Sequence, residues 1–166
     1  MLTAESLAKI DRELTKYPAD QKRSAVMSAL RIALEERRQT GETPEQRCLN
    51  AEVIEFVANY LQIPPVAAYE VATFYNMYDM KPVGKYKITV CTNLPCALRG
   101  GVNAAEYLSQ KLGIGLGETT ADGKFTLLEG ECMGACGDAP VLLVNNHKMC
   151  SFMTPEAIDK KLAEFE

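Results

Sequence analysis

No stretch of this sequence approaches the ~18 consecutive apolar residues of a membrane span, so no segment is expected to cross a bilayer. Positive charge is also short. Lys and Arg number 18 against 22 Asp and Glu, giving a net charge of −4 and a pI near 5.2. That balance argues against nucleic acid or an anionic membrane surface as the main partner. The opening stretch MLTAESLAKIDRELTKY lacks a basic n-region followed by an apolar h-region, and it is too acidic for a transit peptide. A dinucleotide fingerprint is missing as well. The one glycine-rich candidate, Gly113-Ile114-Gly115-Leu116-Gly117, breaks the G-x-G-x-x-G pattern and follows a helix rather than a strand, as a plain turn does. There is no internal repeat and no low-complexity tract. These shortages point to the cytoplasm, a reducing compartment where cysteines gather for metals or catalysis more often than for structural bridges.

What is present suffices for one ordinary domain or two small ones. Of the 166 residues 47% are hydrophobic and 24% charged, enough for a core without disulfide staples. The first half reads as helical. Leu7, Ile10 and Leu14 form one stripe, ended by Tyr17-Pro18, and Val26, Ala29, Leu30 and Ala33 form a second, ended by Gly41. Thr43, Pro44 and Gln46 spell a capping box, after which Leu49, Val53, Phe56 and Tyr60 line a third helix. A fourth runs over residues 66–75. Residues 1–80 are therefore expected to form a helical bundle that docks a partner. Lys81-Pro82-Val83-Gly84 reads as a linker.

From residue 86 the texture changes. Tyr86–Val90 alternates like a strand, and Gly100-Gly101 opens a helix with Val102, Ala105, Leu108 and Leu112 as its stripe. Phe125–Leu128 and Val141–Val144 are strands, Asn145-Asn146-His147 a turn, and Lys148–Met153 a hairpin partner. Thr154-Pro155-Glu156 starts a last helix with Ile158, Leu162 and Phe165 facing inward. Residues 86–166 thus read as β-α-β-β-β-α, one sheet and two helices.

Chemistry concentrates in four cysteines. "CTNLPC" holds Cys91 and Cys96; thirty-five residues later "ECMGACGD" holds Cys132 and Cys136. Both pairs follow a predicted strand, where a rigid sheet can present ligands. Gly134 and Gly137 favour a loop over a helix at the second pair and let backbone N–H groups point at sulfur. Spacing alone leaves three readings open: a [2Fe–2S] cluster with two thiolates per iron, a four-thiolate zinc site, or redox-active thiols. A thioredoxin-like C-x-x-C at a helix N-terminus is absent. With His147 as the one histidine, a Rieske centre, which takes two, is excluded.

"CTNLPC", the gap after it, "ECMGACGDAPVLLVNN" and the upstream "ATFYNMY" together resemble the thioredoxin-like [2Fe–2S] subunit of respiratory complex I, the E subunit of bacterial NADH:quinone oxidoreductases. The similarity runs over nearly the whole chain. It implies an α/β (α+β) fold, a helical bundle followed by a thioredoxin-like [2Fe–2S] ferredoxin domain. It also implies one [2Fe–2S] cluster, with Cys91 and Cys96 on one iron and Cys132 and Cys136 on the other. FMN and NADH are implied on a partner subunit, since nothing here resembles a flavin site. The chain would exchange single electrons with that flavin and would not be catalytic alone. It would lie at the inner face of the membrane through the complex, without inserting. Related NAD-linked formate dehydrogenases and hydrogenases carry equivalent subunits, and a zinc-stabilised interaction module is the non-redox alternative.

Several conspicuous residues have plainer readings. Cys48 flanks a helical stripe, Cys150 sits in a buried strand, and His147 lies in a turn. Phe74, Tyr75 and Tyr78 suggest a core or a subunit interface. Helix, break and helix over residues 53–75 imitate a DNA-binding unit, but residues 43–80 carry Glu45, Glu52, Glu55, Glu70 and Asp79 against Arg47 alone. Glu118, Asp122, Glu129, Glu131 and Asp138, against Lys124, would lower the potential of an anionic cluster nearby. The N-terminus of the Gly101 helix, or Arg99, would raise it. A low-potential site is expected.

Overall fold

The computed structural model describes residues 2–165. The chain divides into two compact units between Pro82 and Val83.

The first unit is four helices: α1 (Ala4–Leu14), α2 (Val26–Thr40), α3 (Ala51–Leu61) and α4 (Pro65–Phe74). Thr3 caps α1 by accepting from the Ser6 N–H, and Gly41 ends α2. Ile10, Ala29, Leu30, Ala33, Leu49, Val57 and Leu61 form the fully buried centre of the core. The third helix departs from expectation. Thr43 and Gln46 do form a capping box, but it closes a separate one-turn 3-10 segment, Pro44–Arg47. The helix then restarts at Ala51 behind a new cap, Asn50, whose side chain accepts from the Val53 N–H. This restart sets the helical phase, so the buried face is Ile54, Val57, Ala58 and Leu61 rather than Val53, Phe56 and Tyr60.

The second unit is one mixed four-stranded sheet in the order β2-β1-β3-β4: β1 (Tyr86–Cys91), β2 (Phe125–Gly130), β3 (Leu142–Val144) and β4 (Lys148–Cys150). β1 and β2 are parallel, while β3 is antiparallel to both β1 and β4. Two long helices, α6 (Gly101–Leu112) and α7 (Pro155–Ala163), complete it, with a one-turn helix α5 (Leu94–Leu98) between β1 and α6. Val83 and Gly84 already belong to this unit, the Gly84 N–H donating to Thr126 Oγ1 at 2.6 Å. Ile88, Val90, Leu108, Leu127, Leu142 and Ile158 fill the core. Along α6 the buried positions are Gly101, Ala104, Ala105 and Leu108, and Val102 is exposed. Asn145 and Asn146, both at φ 54°, make the hairpin turn, a conformation asparagine tolerates better than most residues.

Candidate metal centre

The parallel pairing of β1 with β2 builds the site. Side by side and in the same direction, the two strands release their following loops at the same end of the sheet. The ladder ends with Cys91 opposite Gly130. Cys91 is thus the last residue of β1, and Cys132 follows two residues after β2 ends. Cys96 comes back on α5, and Cys136 opens a 3-10 turn, Cys136–Asp138.

The thiols stand as two pairs. Cys91 and Cys96 are each 1% exposed and lie in an apolar cluster with Ala139 and Val141, flanked by Met133 and Ala135. Cys132 and Cys136 are exposed. Burial first, then the adjacent Cys91 thiol and the nearby Cys136, push the Cys96 thiol above its ordinary value, against a hydrogen bond from the Val141 backbone. The Cys136 thiol is raised chiefly by its hydrogen bond with Cys132 and by the charge that Cys132 would carry, with burial and Cys91 behind. Each thiol is therefore an electrostatic neighbour of the other in its pair, and Cys136 is felt by the first pair. Among the described residues, no three His, Cys, Asp or Glu side chains gather around one point as a single metal ion would require.

A backbone donor reaches the second pair. The Gly134 N–H donates to Cys132 Sγ at 3.4 Å, and Gly134 sits at φ +74°, in the left-handed region that glycine enters without strain. Gly137, expected to shape the same loop, has no such φ and open space where a Cβ would stand, so the fold does not require glycine there. Two other glycines are required and were not legible as site residues. A Cβ on Gly101 would lie 2.7 Å from the Cys91 carbonyl oxygen and 2.9 Å from the Cys96 carbonyl. The first turn of α6 can therefore rest directly on the backbone of the first cysteine loop. A Cβ on Gly130 would lie 2.5 Å from Thr89 Cγ2 and 2.9 Å from Met133 Cε.

The acids beside the second pair are engaged. Thr92 Oγ1 donates to Glu129, and Asn93 Nδ2 donates to Glu131 at 2.8 Å. Ser151 Oγ donates to Asp138 at 3.0 Å. Glu118 and Asp122 serve local turns, accepting from the Gly115 and Lys124 N–H groups. The remaining cysteines lie elsewhere. Cys48, in the first unit, donates to the Glu45 carbonyl, and Cys150 packs in the second unit's main core. Burial raises both thiols. Gly113 ends α6 at φ +67°, so its glycine-rich stretch begins as a helix stop.

The donor set fits a two-iron, two-sulfide cluster. That group takes two thiolates per iron and N–H donors around sulfur, and its irons supply the positive charge that relieves repulsion between adjacent thiolates. Comparison with known proteins agrees. Residues 10–166 match the family of thioredoxin-like [2Fe-2S] ferredoxins. The NADH-quinone oxidoreductase E subunit of Rickettsia prowazekii (strain Madrid E) is 48% identical over 133 residues, covering 80% of this chain and 71% of that protein. Its counterpart in Rickettsia felis is 45% identical over 152 residues, covering 92% and 86%. The mitochondrial NADH dehydrogenase [ubiquinone] flavoprotein 2 of Dictyostelium discoideum is 40% identical, covering 87% of this chain and 55% of that protein. Among solved structures, the NAD+-reducing [NiFe]-hydrogenase in its H2-reduced state superposes with a TM-score of 0.66 at 21% identity. That match covers 82% of this chain but only 22% of the hydrogenase chain, and it bears on the fold alone. The chain belongs to the thioredoxin-like [2Fe–2S] ferredoxin family, in the branch of the NADH-quinone oxidoreductase E subunits.

Proposed function

We propose that Cys91, Cys96, Cys132 and Cys136 hold the [2Fe–2S] cluster of this family, the first pair on one iron and the second on the other. The chain then serves as an electron-transfer subunit of an NADH:quinone oxidoreductase. Its single electrons are exchanged with a flavin, FMN, on a neighbouring NADH-binding subunit. When bound, such a cluster takes up and gives back one electron at a time.

The parallel β1–β2 register supports this reading most, because it sends both cysteine loops off the same end of the sheet. The chain's own residues do the rest. Cys91 and Cys96 hold their half of the site in an apolar pocket that excludes water. Cys132 and Cys136, being exposed, put the other half at the surface, where a redox partner can come close. Gly134 turns its N–H toward the Cys132 sulfur. In the first unit, Phe74 is 79% exposed and Val66 63% exposed on α4, with Tyr69 beside them, a surface suited to docking a neighbouring protein of the complex. Tyr78, by contrast, is buried and donates to the Met27 carbonyl at 2.8 Å. No helix among the described residues is long and apolar enough to cross a membrane, so contact with the membrane would run through the rest of the complex.

The test is the composition of protein purified without oxygen. The expected result is a reddish-brown chain with about two irons and two sulfides. A colourless chain with one zinc would overturn it.

A further inference from the structure

We propose that Thr92, Asn93, Glu129 and Glu131 form a clasp that holds the two cysteine loops at cluster-binding separation whether or not the metal is present. The inference rests on the four-cysteine assignment above and adds to it a set of positioning residues.

The backbone ladder between β1 and β2 stops at Cys91 opposite Gly130. Beyond that point the loops part: the Cys91 N–H reaches the Val141 carbonyl, and Cys96 packs against Ala139 and Val141, both past the second pair in the chain, so the roots of the two loops are left to their side chains. Side chains continue the ladder where the backbone leaves it. Thr92 and Asn93 directly follow Cys91, while Glu129 and Glu131 straddle Gly130. Thr92 donates to Glu129 and Asn93 to Glu131, so both hydrogen bonds cross from one cysteine loop to the root of the other. The chemistry is selective. A carboxylate beside an anionic cluster is electrostatically unfavourable. It is also a stronger acceptor than a neutral oxygen. The donors here are a hydroxyl and an amide rather than Lys or Arg, so the clasp closes without cancelling the negative charge. Glu131 thereby does two separable things: it anchors Asn93, and it opposes reduction of whatever the cysteines hold.

Two variants separate these roles in the full-length chain. Asn93→Ala removes the Asn93–Glu131 arm of the clasp and keeps the charge. Glu131→Gln keeps an acceptor for Asn93 and removes the charge. A hydrogen bond to a charged group is worth roughly 1.5 kcal/mol net at the low end, so opening it should change cluster lifetime about tenfold. Asn93→Ala and Glu131→Ala are each expected to lose the cluster to an iron chelator about tenfold faster than wild type. The double variant should be no faster than either single. Glu131→Gln should keep close to the wild-type lifetime while its midpoint potential rises. In iron-free protein, amide hydrogen exchange over residues 92–98 and 131–136 should accelerate in Asn93→Ala, with the rest of the second unit unchanged. Wild-type lifetimes in both alanine variants, or a double variant whose rate is the product of the singles, would overturn the clasp. So would unchanged exchange in the iron-free variant. If wild-type protein takes up no cluster at all, the ligand assignment fails on its own, and the exchange measurement still decides whether the clasp exists.

Discussion

Cys91 stands directly opposite Gly130 at the last rung of the parallel ladder, so a candidate ligand on one strand faces a residue with no side chain on the other. The empty position is used, because Thr89 Cγ2 and Met133 Cε would lie 2.5 and 2.9 Å from a Cβ placed there. Met133 can swing away, being flexible at its end, but the Thr89 methyl is on a stiff β-branched side chain. Gly130→Ala is therefore expected to destabilise the second unit by about 1–2 kcal/mol through overpacking. Adding Thr89→Ser removes the colliding methyl and should recover most of that loss. Urea unfolding checks both. A double variant no more stable than the single would show that the contact is not the cause.

Gly101 makes a sharper case, because two principles predict opposite signs. Alanine is the better helix former by about 1 kcal/mol, so propensity alone predicts that Gly101→Ala stabilises α6. The atoms a Cβ would meet are backbone, the Cys91 and Cys96 carbonyls, and these cannot turn aside. The expected outcome is a net loss of about 2 kcal/mol, with weaker cluster retention, as α6 is pushed off the first cysteine loop. A more stable variant in thermal or urea unfolding would contradict this packing.

In the helical unit, Arg38 of α2 forms a close ion pair with Asp79, whose carbonyl also accepts from the Leu49 N–H at 2.8 Å. The side chains are 14% and 5% exposed, so removing the acid leaves a guanidinium largely shut away from water. Asp79→Ala should cost about 3 kcal/mol, well above the value of a surface pair. Asp79→Asn should cost less, since it keeps an acceptor. The check is the urea midpoint at unchanged slope.

Glu36 gives a dependence on pH. Burial acts to raise its pKa, but hydrogen bonds from the Ser6 hydroxyl and from the Thr3 hydroxyl and N–H outweigh that and leave it lowered. A carboxylate lowered in the folded state contributes stability that is complete above its unfolded pKa and lost as pH falls through the folded one. Glu36→Gln should therefore narrow the stability gap to wild type as the pH drops through the carboxylate range. Denaturant midpoints between pH 7 and pH 3 read this directly, and a gap that stays constant would refute it.

The four candidate cysteines and the strands that precede each pair were legible because both signals are local. Thiol spacing is written in the chain, and alternation such as Tyr86-Lys87-Ile88-Thr89-Val90 follows from the two-residue repeat of a strand. What was not legible depends on approach between segments distant in sequence. Gly101 and Gly130 look like ordinary glycines until α6 meets the Cys91 loop and Thr89 meets β2. Glu129 and Glu131 read as a patch of charge because Thr92 and Asn93 come to them from nearly forty residues away. The one-turn helix carrying Cys96 was missed because five residues are too few to show a period. The slip in the third helix had a local cause: two capping signals, Thr43 and Asn50, lie seven residues apart, and only the second starts the α-helix.

The proposal that four particular sulfurs hold one two-iron cluster is tested most directly by electron paramagnetic resonance of the dithionite-reduced chain and its single Cys→Ser variants. The expected wild-type signal is that of a reduced [2Fe–2S] cluster at about one spin per chain. Replacing Cys91, Cys96, Cys132 or Cys136 should abolish or reshape it, while replacing Cys48 or Cys150 should leave it as it was. An unchanged signal after any of the first four substitutions, or its loss after either of the last two, would contradict the account.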